Sequence, residues 1–164
     1  MAAGGRRSIE GSAAAASADN VLIRAVRADD LPAIVKLDEA ATGTSKIEHW
    51  RELLADLEHG NNHDLTFLVA ELDGRVIGFI TGNVRAFEFG SEACGWVFAL
   101  CVDSAVRVKN VGTQLFDALC GHFRQAGVAK VRTMVARNND LVLAFFRSLG
   151  LMAGPFLQLE KDLD

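Results

Sequence analysis

The chain of 164 residues lacks several features that would mark a particular class of protein. Its three cysteines, Cys94, Cys101 and Cys120, show neither CxxC spacing nor a nearby histidine cluster, so they indicate neither a disulfide framework nor a zinc site. The longest apolar run, residues 93–102, is about half of what a membrane-spanning helix needs. These absences predict a soluble, metal-free protein with reduced cysteines in the cytoplasm.

An excess of positive charge is missing as well. Lys and Arg total 17 against 21 Asp and Glu, which gives a net charge of −4, and the basic residues are scattered along the chain. A protein that grips a phosphate backbone concentrates its basic residues on one surface. We therefore expect no nucleic-acid partner and, given the short apolar runs, no membrane partner.

Length and composition predict the domain organisation. Residues 1–20 are mostly Ala, Gly and Ser with almost nothing to bury, so we expect them to form a disordered leader. Residues 21–164 are enough for one domain with a sizeable core and too few for two comfortable ones.

The spacing of apolar residues predicts both strands and helices. Strands are predicted at 21–26, 65–72, 75–84, 93–102, 129–135 and 156–163, with Asp73-Gly74 as a hairpin turn. Helices are predicted after Asp30, from a capping box of Ser45 and Glu48, after Asn110, and after Asn139, where Leu141, Ala144, Phe145 and Leu149 face inward. The order β-α-α-β-β-β-α-β-α-β predicts a mixed α/β fold of α+β character, with antiparallel strands first.

The turn VRVKNVGT, residues 106–113, carries the clearest functional signal. Arg107 and Lys109 add positive charge, Gly112 lets a ligand approach the backbone, and Asn110 tolerates a left-handed conformation. The first amides of a helix have no internal partner and lie at its positive end, so this turn suits a phosphate or pyrophosphate. An ordinary solvated turn explains the segment alone equally well. The phosphate-binding patterns GxxxxGK[ST] and GxGxxG are both absent.

Two segments together, LCVDSAVRVKNVGTQLFDAL (residues 100–119) and ARNNDLVLAFFRSLGL (residues 136–151), resemble the signature segments of the GNAT family of acyl-CoA-dependent N-acyltransferases. The resemblance covers residues 21–164 and implies the GNAT fold, a central, mostly antiparallel twisted sheet flanked by helices. The family pattern Q/R-x-x-G-x-G/A falls on Arg107 to Gly112. Asn110 stands where the first glycine is usual, a departure that Asn can accommodate.

The resemblance implies acetyl-CoA as the cosubstrate and assigns roles to positions. Backbone amides of residues 108–113, helped by Arg107, would hold the CoA pyrophosphate. Val102 and Asn139 would bond the pantetheine arm, and the Leu100 amide would point at the thioester oxygen as the catalytic donor. The implied set of CoA-binding residues is Val102, Arg107, Val108, Lys109, Asn110, Val111, Gly112, Thr113, Asn139 and Phe146, and no metal is implied.

The general acid and the general base stay unassigned. The positions usual for a glutamate hold Trp96 and Met134, and the position of the usual tyrosine holds Phe146 in a chain without tyrosine. Cys101 is more typical of a core residue than of a nucleophile, because it has no adjacent histidine. We therefore expect direct transfer in a ternary complex to a primary amine of a small molecule or protein. The alternatives are a catalytically impaired acyl-CoA-binding module, acting as a sensor or partner-binding domain, and a generic nucleotide-binding domain.

The resemblance also implies that residues 39–46 and the loop around Gly154 and Pro155 roof the acceptor site. Asp38 and Glu39 could attract a cationic amine, although a solvated helix end is the more ordinary interpretation of both. The last predicted strand could pair across a homodimer, but no residue requires one.

Overall fold

The structure is a computed structural model that describes residues 20–86 and 90–163. Its elements are β1 (Leu22–Ala25), a 3-10 turn (Ala28–Asp30), α1 (Leu31–Thr42), α2 (Ile47–Glu58), β2 (Leu65–Leu72), β3 (Arg75–Arg85), β4 (Cys94–Val102), α3 (Val111–Gln125), β5 (Val131–Thr133) and α4 (Asp140–Ser148). The leader expected at residues 1–20 lies, apart from Asn20, outside the described residues.

The five strands of the described part form one sheet in the order β1-β2-β3-β4-β5. Neighbouring strands are antiparallel except β4 and β5, which are parallel. The hairpin between β2 and β3 is the predicted turn, in which Asp73 and Gly74 have φ angles of 51° and 76°. Positive φ at both positions is what a two-residue turn requires. The predicted mixed α/β fold with a mostly antiparallel sheet is confirmed.

Helices cover both faces of the sheet, in which β3 is the middle strand and β4 lies next to it. On one face the core contains Ile77, Ile80, Leu115, Leu119, Phe123 and Phe146, which brings α3 and α4 onto the sheet. On the other face it contains Ile34, Trp50, Leu54, Phe67, Val69 and Phe79, which brings α1 and α2 onto it. Full burial of each large apolar side chain is worth about 1.5–3 kcal/mol, so two such layers fix the sheet firmly.

β4 separates from β5 after a short stretch of pairing. The parallel ladder joins residues 95–97 to β5, whereas β4 continues to Val102. Thr81 pairs with Ala99 but Gly82 pairs with Val97, so Phe98 is the extra residue of a bulge on β4. A bulge bends its strand and increases the local twist. The second half of β4 therefore diverges from β5 and leaves an open edge.

The capping box predicted at Ser45 and Glu48 is wrong. α2 begins at Ile47, its N-cap residue is Lys46, and no side chain caps it. Glu48 pairs with Arg51 instead, and Lys46 pairs with Asp38 of α1. A local sequence signature could not reveal these partners, because one of them belongs to another helix.

The strand predicted over residues 156–163 is also wrong. Leu157, Leu159 and Leu163 are 80–90% exposed and the segment has no regular structure. Alternating leucines form a strand only where the edge of another strand is free to pair with them. β5 is shorter than the predicted 129–135, and the segment touches it through Arg132, whose guanidinium lies 4.9 Å from the Phe156 ring centre.

The inward face predicted for α4 is partly wrong. Leu141 is 83% exposed and Ala144 is exposed, whereas Phe146 is buried and Val142, Phe145 and Leu149 pack partly against the core. The helix has only nine residues and is apolar around most of its circumference. Spacing alone therefore did not determine which side faces the sheet.

Candidate functional site

The open half of β4 presents backbone amides at the edge of the sheet. The Asp103 amide donates to the Ile77 carbonyl oxygen at 2.8 Å, and the direction of successive amides alternates along an antiparallel ladder. Cys101 therefore directs its amide towards β3, while Leu100 and Val102 direct theirs towards the open edge. Within the part of the chain that the structure describes, neither of these two amides has a hydrogen-bond partner.

The first turn of α3 lies beside this edge and is uncapped. The Gln114 amide is the first to bond within the helix, to the Asn110 carbonyl oxygen at 2.9 Å, so the amides of residues 111–113 have no partner in it. Asn110 has φ 66° and ψ 12°, the left-handed conformation for which the sequence analysis allowed, and its side chain does not cap the helix. The positive end of the helix dipole thus points at solvent or at a ligand.

Basic side chains flank this helix start. Arg107 and Lys109 are exposed, and neither makes a hydrogen bond or an ion pair with the described residues. Val108, between them, packs against the core together with Val106, and the Asp103 carboxylate accepts the Ala105 amide at 2.9 Å. The turn is therefore held by its own apolar and polar anchors, which leaves the two cations free to meet an anion.

Gly112 brings the start of α3 against its neighbours. A Cβ atom at this position would lie 3.3 Å from two ring atoms of Phe145 and 3.8 Å from Cγ2 of Val102. From the sequence, Gly112 is expected to let a ligand approach the backbone. The structure shows a second reason for a glycine here, which is close packing against α4 and β4. A side chain at Gly112 would disturb Phe145 as well as a ligand, so other positions are better probes of the turn.

A cleft of about 640 Å³ opens at the same edge of the sheet. Its lining includes Leu100 of β4, with Met134 and Asn139 from the segment that follows β5. It also includes Asp38 of α1 and Lys46, which directly precedes α2. The predicted roof, residues 39–46, contributes Ala41, Thr42 and Lys46, whereas Gly154 and Pro155 do not line the cleft.

Asp38 is not the solvated helix end that the sequence favoured, because its side chain is buried. The residue is 3% exposed, and its carboxylate accepts hydrogen bonds from Lys46 Nζ at 2.9 and 3.1 Å and from Trp50 Nε1 at 2.9 Å. Glu39 beside it is exposed, as expected. The Asp38 carboxylate is therefore already neutralised, and it ties α1 to α2 at the wall of the cleft.

Comparison with known proteins identifies the family of the chain. A family model described as the acetyltransferase (GNAT) family matches residues 31–151, about three quarters of the chain. The chain belongs to the GNAT family. By family it is an acetyltransferase, as the sequence resemblance predicted.

Solved structures of GNAT proteins share its fold at low sequence identity. An aminoglycoside acetyltransferase from an uncultured soil metagenomic sample, in complex with sisomicin, is 22% identical, with a TM-score of 0.69 over 89% of this chain and 98% of that one. Aminoglycoside N-acetyltransferase AAC(6')-Iy in complex with CoA is 18% identical, with a TM-score of 0.74 over 87% and 94%. Glucosamine-6-phosphate N-acetyltransferase from Arabidopsis thaliana is 21% identical, with a TM-score of 0.68 over 88% and 99%.

Several positions that the GNAT resemblance singled out have structural roles. Asn139 Oδ1 accepts the Val142 amide at 3.1 Å and caps α4, which leaves its side-chain NH₂ group beside the cleft. Phe146 is 7% exposed, stacks edge-on against Phe116 and Phe145, and does not line the cleft, so it offers little surface to a ligand. Met134 lines the cleft and is 65% exposed.

Trp96, at the other position usual for a glutamate, holds an unpaired polar atom. Its Nε1 and Asn83 Oδ1 are buried without a hydrogen-bond partner, and the two residues face each other across β3 and β4. One atom is a donor and the other an acceptor, so the two groups are chemically complementary.

Cys101 lines the cleft but its thiol is poorly suited to act as a nucleophile. Burial, and secondly the nearby charge of Asp38, raises the pKa of this thiol to about 11. The reactive form of a cysteine is the thiolate, which is scarce at neutral pH when the pKa is raised.

His49 was not predicted as a site residue, because the spacing of the histidines gives no metal-binding pattern. His49 lines the cleft, and its ring meets Trp50 edge-on with 5.0 Å between the ring centres. The sequence did offer one signal that His49 lies at the cleft. It stands three residues after Lys46 of the predicted roof, and residues three apart share a helix face.

Other features of the described part offer no competing site. A second cleft of about 480 Å³, lined by Arg27, His63 and His122 among others, contains none of the predicted site residues. Within residues 20–86 and 90–163, no cluster of three His, Cys, Asp or Glu side chains could hold a metal ion. None of the helices in these ranges is long and apolar enough to cross a membrane.

Proposed function

We propose that this GNAT protein transfers the acetyl group of acetyl-CoA directly to a primary amine of a small molecule or protein within a ternary complex. The observation that supports the proposal most is the combination of two unpaired β4 amides with the uncapped start of α3. An isolated helix start could be an ordinary turn, but here it lies beside an unpaired strand edge that leads into a cleft.

The chain's own groups fit CoA along this path. The amides of residues 108–113 and the Arg107 and Lys109 side chains would hold the pyrophosphate, because a helix start favours anions. Val102 would bond the pantetheine arm as an added strand bonds a sheet edge. Two residues further along β4, about 7 Å away, the Leu100 amide would meet the thioester oxygen. The Asn139 side chain would bond the pantetheine from the opposite wall.

The reaction requires one bond to form and one to break. The lone pair of the neutral amine attacks the thioester carbonyl carbon, the C–N bond forms, and the C–S bond breaks as CoA leaves with the electron pair. The amine loses a proton, and the thiolate takes one from solvent. The Leu100 amide would stabilise the negative charge that develops on the carbonyl oxygen, an effect worth on the order of 3 kcal/mol in other enzymes.

Positioning carries the remainder of the proposed catalysis. The chain has no tyrosine for the leaving thiolate, and the raised thiol pKa of Cys101 disfavours an acetyl-cysteine intermediate. Holding two reactants in a reactive geometry can by itself supply roughly 7–11 kcal/mol of the barrier. The alternative function, a catalytically impaired acyl-CoA sensor or partner-binding module, is motivated by the same missing groups.

Calorimetry and turnover together test the proposal. Acetyl-CoA should bind with one site per chain, and free thiol should appear above the hydrolytic background when a broad panel of amines and peptides is supplied. Binding without thiol release across the panel would favour the impaired module. Stabilisation by ATP or NADH in place of acetyl-CoA would favour a generic nucleotide-binding domain.

The role of the β4 edge can be tested on the backbone itself. Cys94 provides a junction at which a synthetic segment 94–164 can be ligated to residues 1–93. Replacing the Leu100 amide by an ester should lower kcat by about 100-fold, because a lost oxyanion donor costs about 3 kcal/mol. An ester at Val102 should instead weaken CoA binding. An all-amide protein prepared in the same way is the control, and equal activity in all three would refute this role of the edge.

The location and the partners of the protein belong to the same proposal. A cytoplasmic location is supported by three free cysteines, and the net charge of −4 without a basic cluster disfavours nucleic-acid binding and anionic membrane surfaces. A homodimer stays an open alternative. Residues 156–163, which were expected to pair with a second copy, form no strand in the single chain.

A further inference from the structure

The described lining of the cleft carries no free negative charge. Asp38 is the one carboxylate among its described lining residues, and Lys46 and Trp50 already occupy its oxygens. An ammonium group entering the cleft would find no unoccupied carboxylate among the described lining residues.

Much of the remaining wall is apolar and open to solvent. Phe98 is 53% exposed and Met134 is 65% exposed, and Leu53, Leu65 and Val142 extend the apolar surface between them. Covering such surface contributes about 25 cal/mol per Å². Twelve of the twenty described lining residues are apolar, so the cleft suits a ligand that presents an apolar body together with a small number of polar groups.

These two observations decide against a polycationic acceptor. Each ammonium that leaves water without a carboxylate partner loses hydration that neutral acceptors such as Asn62 and Asn83 replace only in part. A single reacting amine does not meet this obstacle, because it attacks as the neutral free base and needs no counter-ion. The charge pattern therefore favours one amine on an apolar body.

We propose that the acceptor is a primary amine carried by an apolar body of about the size of an aromatic ring system, and that polycationic amines are not acceptors. The inference rests on the proposed acetyl transfer and narrows its substrate class. It separates this chain from the structural neighbour that binds sisomicin, with which it shares the fold at 22% identity.

Direct binding and turnover should both be measured with three probes. These are 2-phenylethylamine as the apolar monoamine, sisomicin as the polycation, and glucosamine 6-phosphate as the anionic amino sugar. Calorimetry in the presence of CoA reports binding without requiring chemistry. We expect 2-phenylethylamine to bind at least tenfold more tightly than either other probe, and its kcat/KM with acetyl-CoA to be at least 100-fold higher.

A gain-of-function variant tests the electrostatic cause. Ala41→Glu with Met134→Glu adds two carboxylates at exposed positions that line the cleft. This double variant should bind sisomicin at least tenfold more tightly than the parent and 2-phenylethylamine more weakly. The matched control, Ala40→Glu with Met152→Glu, makes the same substitutions at exposed positions outside the cleft and should leave all three affinities within twofold.

The outcomes separate this inference from the function on which it rests. If acetyl-CoA fails to bind, the proposed function falls, and the inference falls with it. If acetyl-CoA binds and sisomicin equals or exceeds 2-phenylethylamine in affinity or kcat/KM, the substrate class alone is wrong. The absence of binding by all three amines, or an equal response of the control variant, would also overturn it.

Discussion

Reversing the charge of Arg107 and Lys109 should change CoA affinity and stability in opposite directions. Both side chains are exposed without partners beside the uncapped start of α3, so Arg107→Glu with Lys109→Glu breaks no contact in the described structure. If the turn holds the pyrophosphate, two attractions become two repulsions. If the turn is only a solvated loop, the ligand response stays unchanged.

The expected loss of affinity follows from the exposure of the two residues. An exposed ion pair is worth about 0.2–1 kcal/mol, and a reversal removes the attraction and adds a repulsion of similar size. We take about 1 kcal/mol for each residue, or roughly fivefold in Kd, which gives roughly 25-fold for the pair. At acetyl-CoA equal to about 100 times the parent Kd, the ligand stabilises the parent by about 2.7 kcal/mol and the double variant by only about 1 kcal/mol.

The unliganded variant should be at least as stable as the parent. A carboxylate near the positive end of a helix is favourable by about 0.3–1 kcal/mol, and this helix end has no cap of its own. A lower affinity with an unchanged or higher Tm cannot be explained by damage to the fold. A loss of CoA affinity without a loss of stability therefore distinguishes a binding site from a structural role.

The assay combines calorimetric titration with thermal denaturation, each at about 0.05 M and 0.5 M salt. Because salt screens charges, the loss of CoA affinity should be smaller at the higher concentration. Lys36→Glu with Lys130→Glu makes the same change of charge at exposed positions away from the turn. A Kd within twofold of the parent in the Arg107 and Lys109 variant, or an equal loss in the control, would refute the assignment of the pyrophosphate to this turn.

Three further predictions concern single residues. Because burial raises the Cys101 pKa to about 11, iodoacetamide should alkylate this thiol rapidly only above about pH 10, as followed by mass spectrometry, and Cys101→Ala should retain acetyl transfer. Burial opposes ionisation of Asp30, but the hydrogen bonds from Arg24 and from the Arg27 amide, together with the charges of both arginines, outweigh it and lower the pKa of this carboxyl from its ordinary value. Its stabilisation is therefore present above the ordinary pKa and lost as pH falls through the lowered one, so Asp30→Asn should flatten the acid limb of urea midpoints. Asn110→Ala should cost about 1–2 kcal/mol of unfolding free energy by the same urea assay, whereas Asn110→Gly should cost little, because φ is 66° at this position.

Features of the fold that depend on local chemistry could be predicted from the sequence. The Asp73-Gly74 hairpin requires two positive φ angles that these residues tolerate, and the α3 stripe of Leu115, Leu119 and Phe123 has a single consistent helical period. The left-handed residue before α3 could be anticipated for the same reason, because few residues other than Gly and Asn adopt that conformation.

Features that depend on distant partners could not be predicted. The burial of Asp38 follows from Lys46 and Trp50 on another helix, and no spacing within α1 signals it. The alternating leucines after Pro155 read as a strand, but pairing depends on a free edge that the sequence does not show. The cleft lies where β4 bends at the Phe98 bulge. The sequence offers no sign of this bend, because the strand is apolar on both faces.

The same distinction bears on the proposed site, whose CoA-binding and acceptor-binding parts depend on different kinds of groups. The groups proposed to hold CoA are mostly backbone amides, which every sequence supplies once a bulge opens β4 and a left-handed residue starts α3. Side chains at these positions can therefore vary widely, as Asn110 in the place of a glycine illustrates. The acceptor end is built from side chains, so each substitution there changes what binds. In this chain the Asp38–Lys46 pair leaves no free carboxylate among the described lining residues, and the proposed preference for an apolar monoamine rests on that neutralised charge.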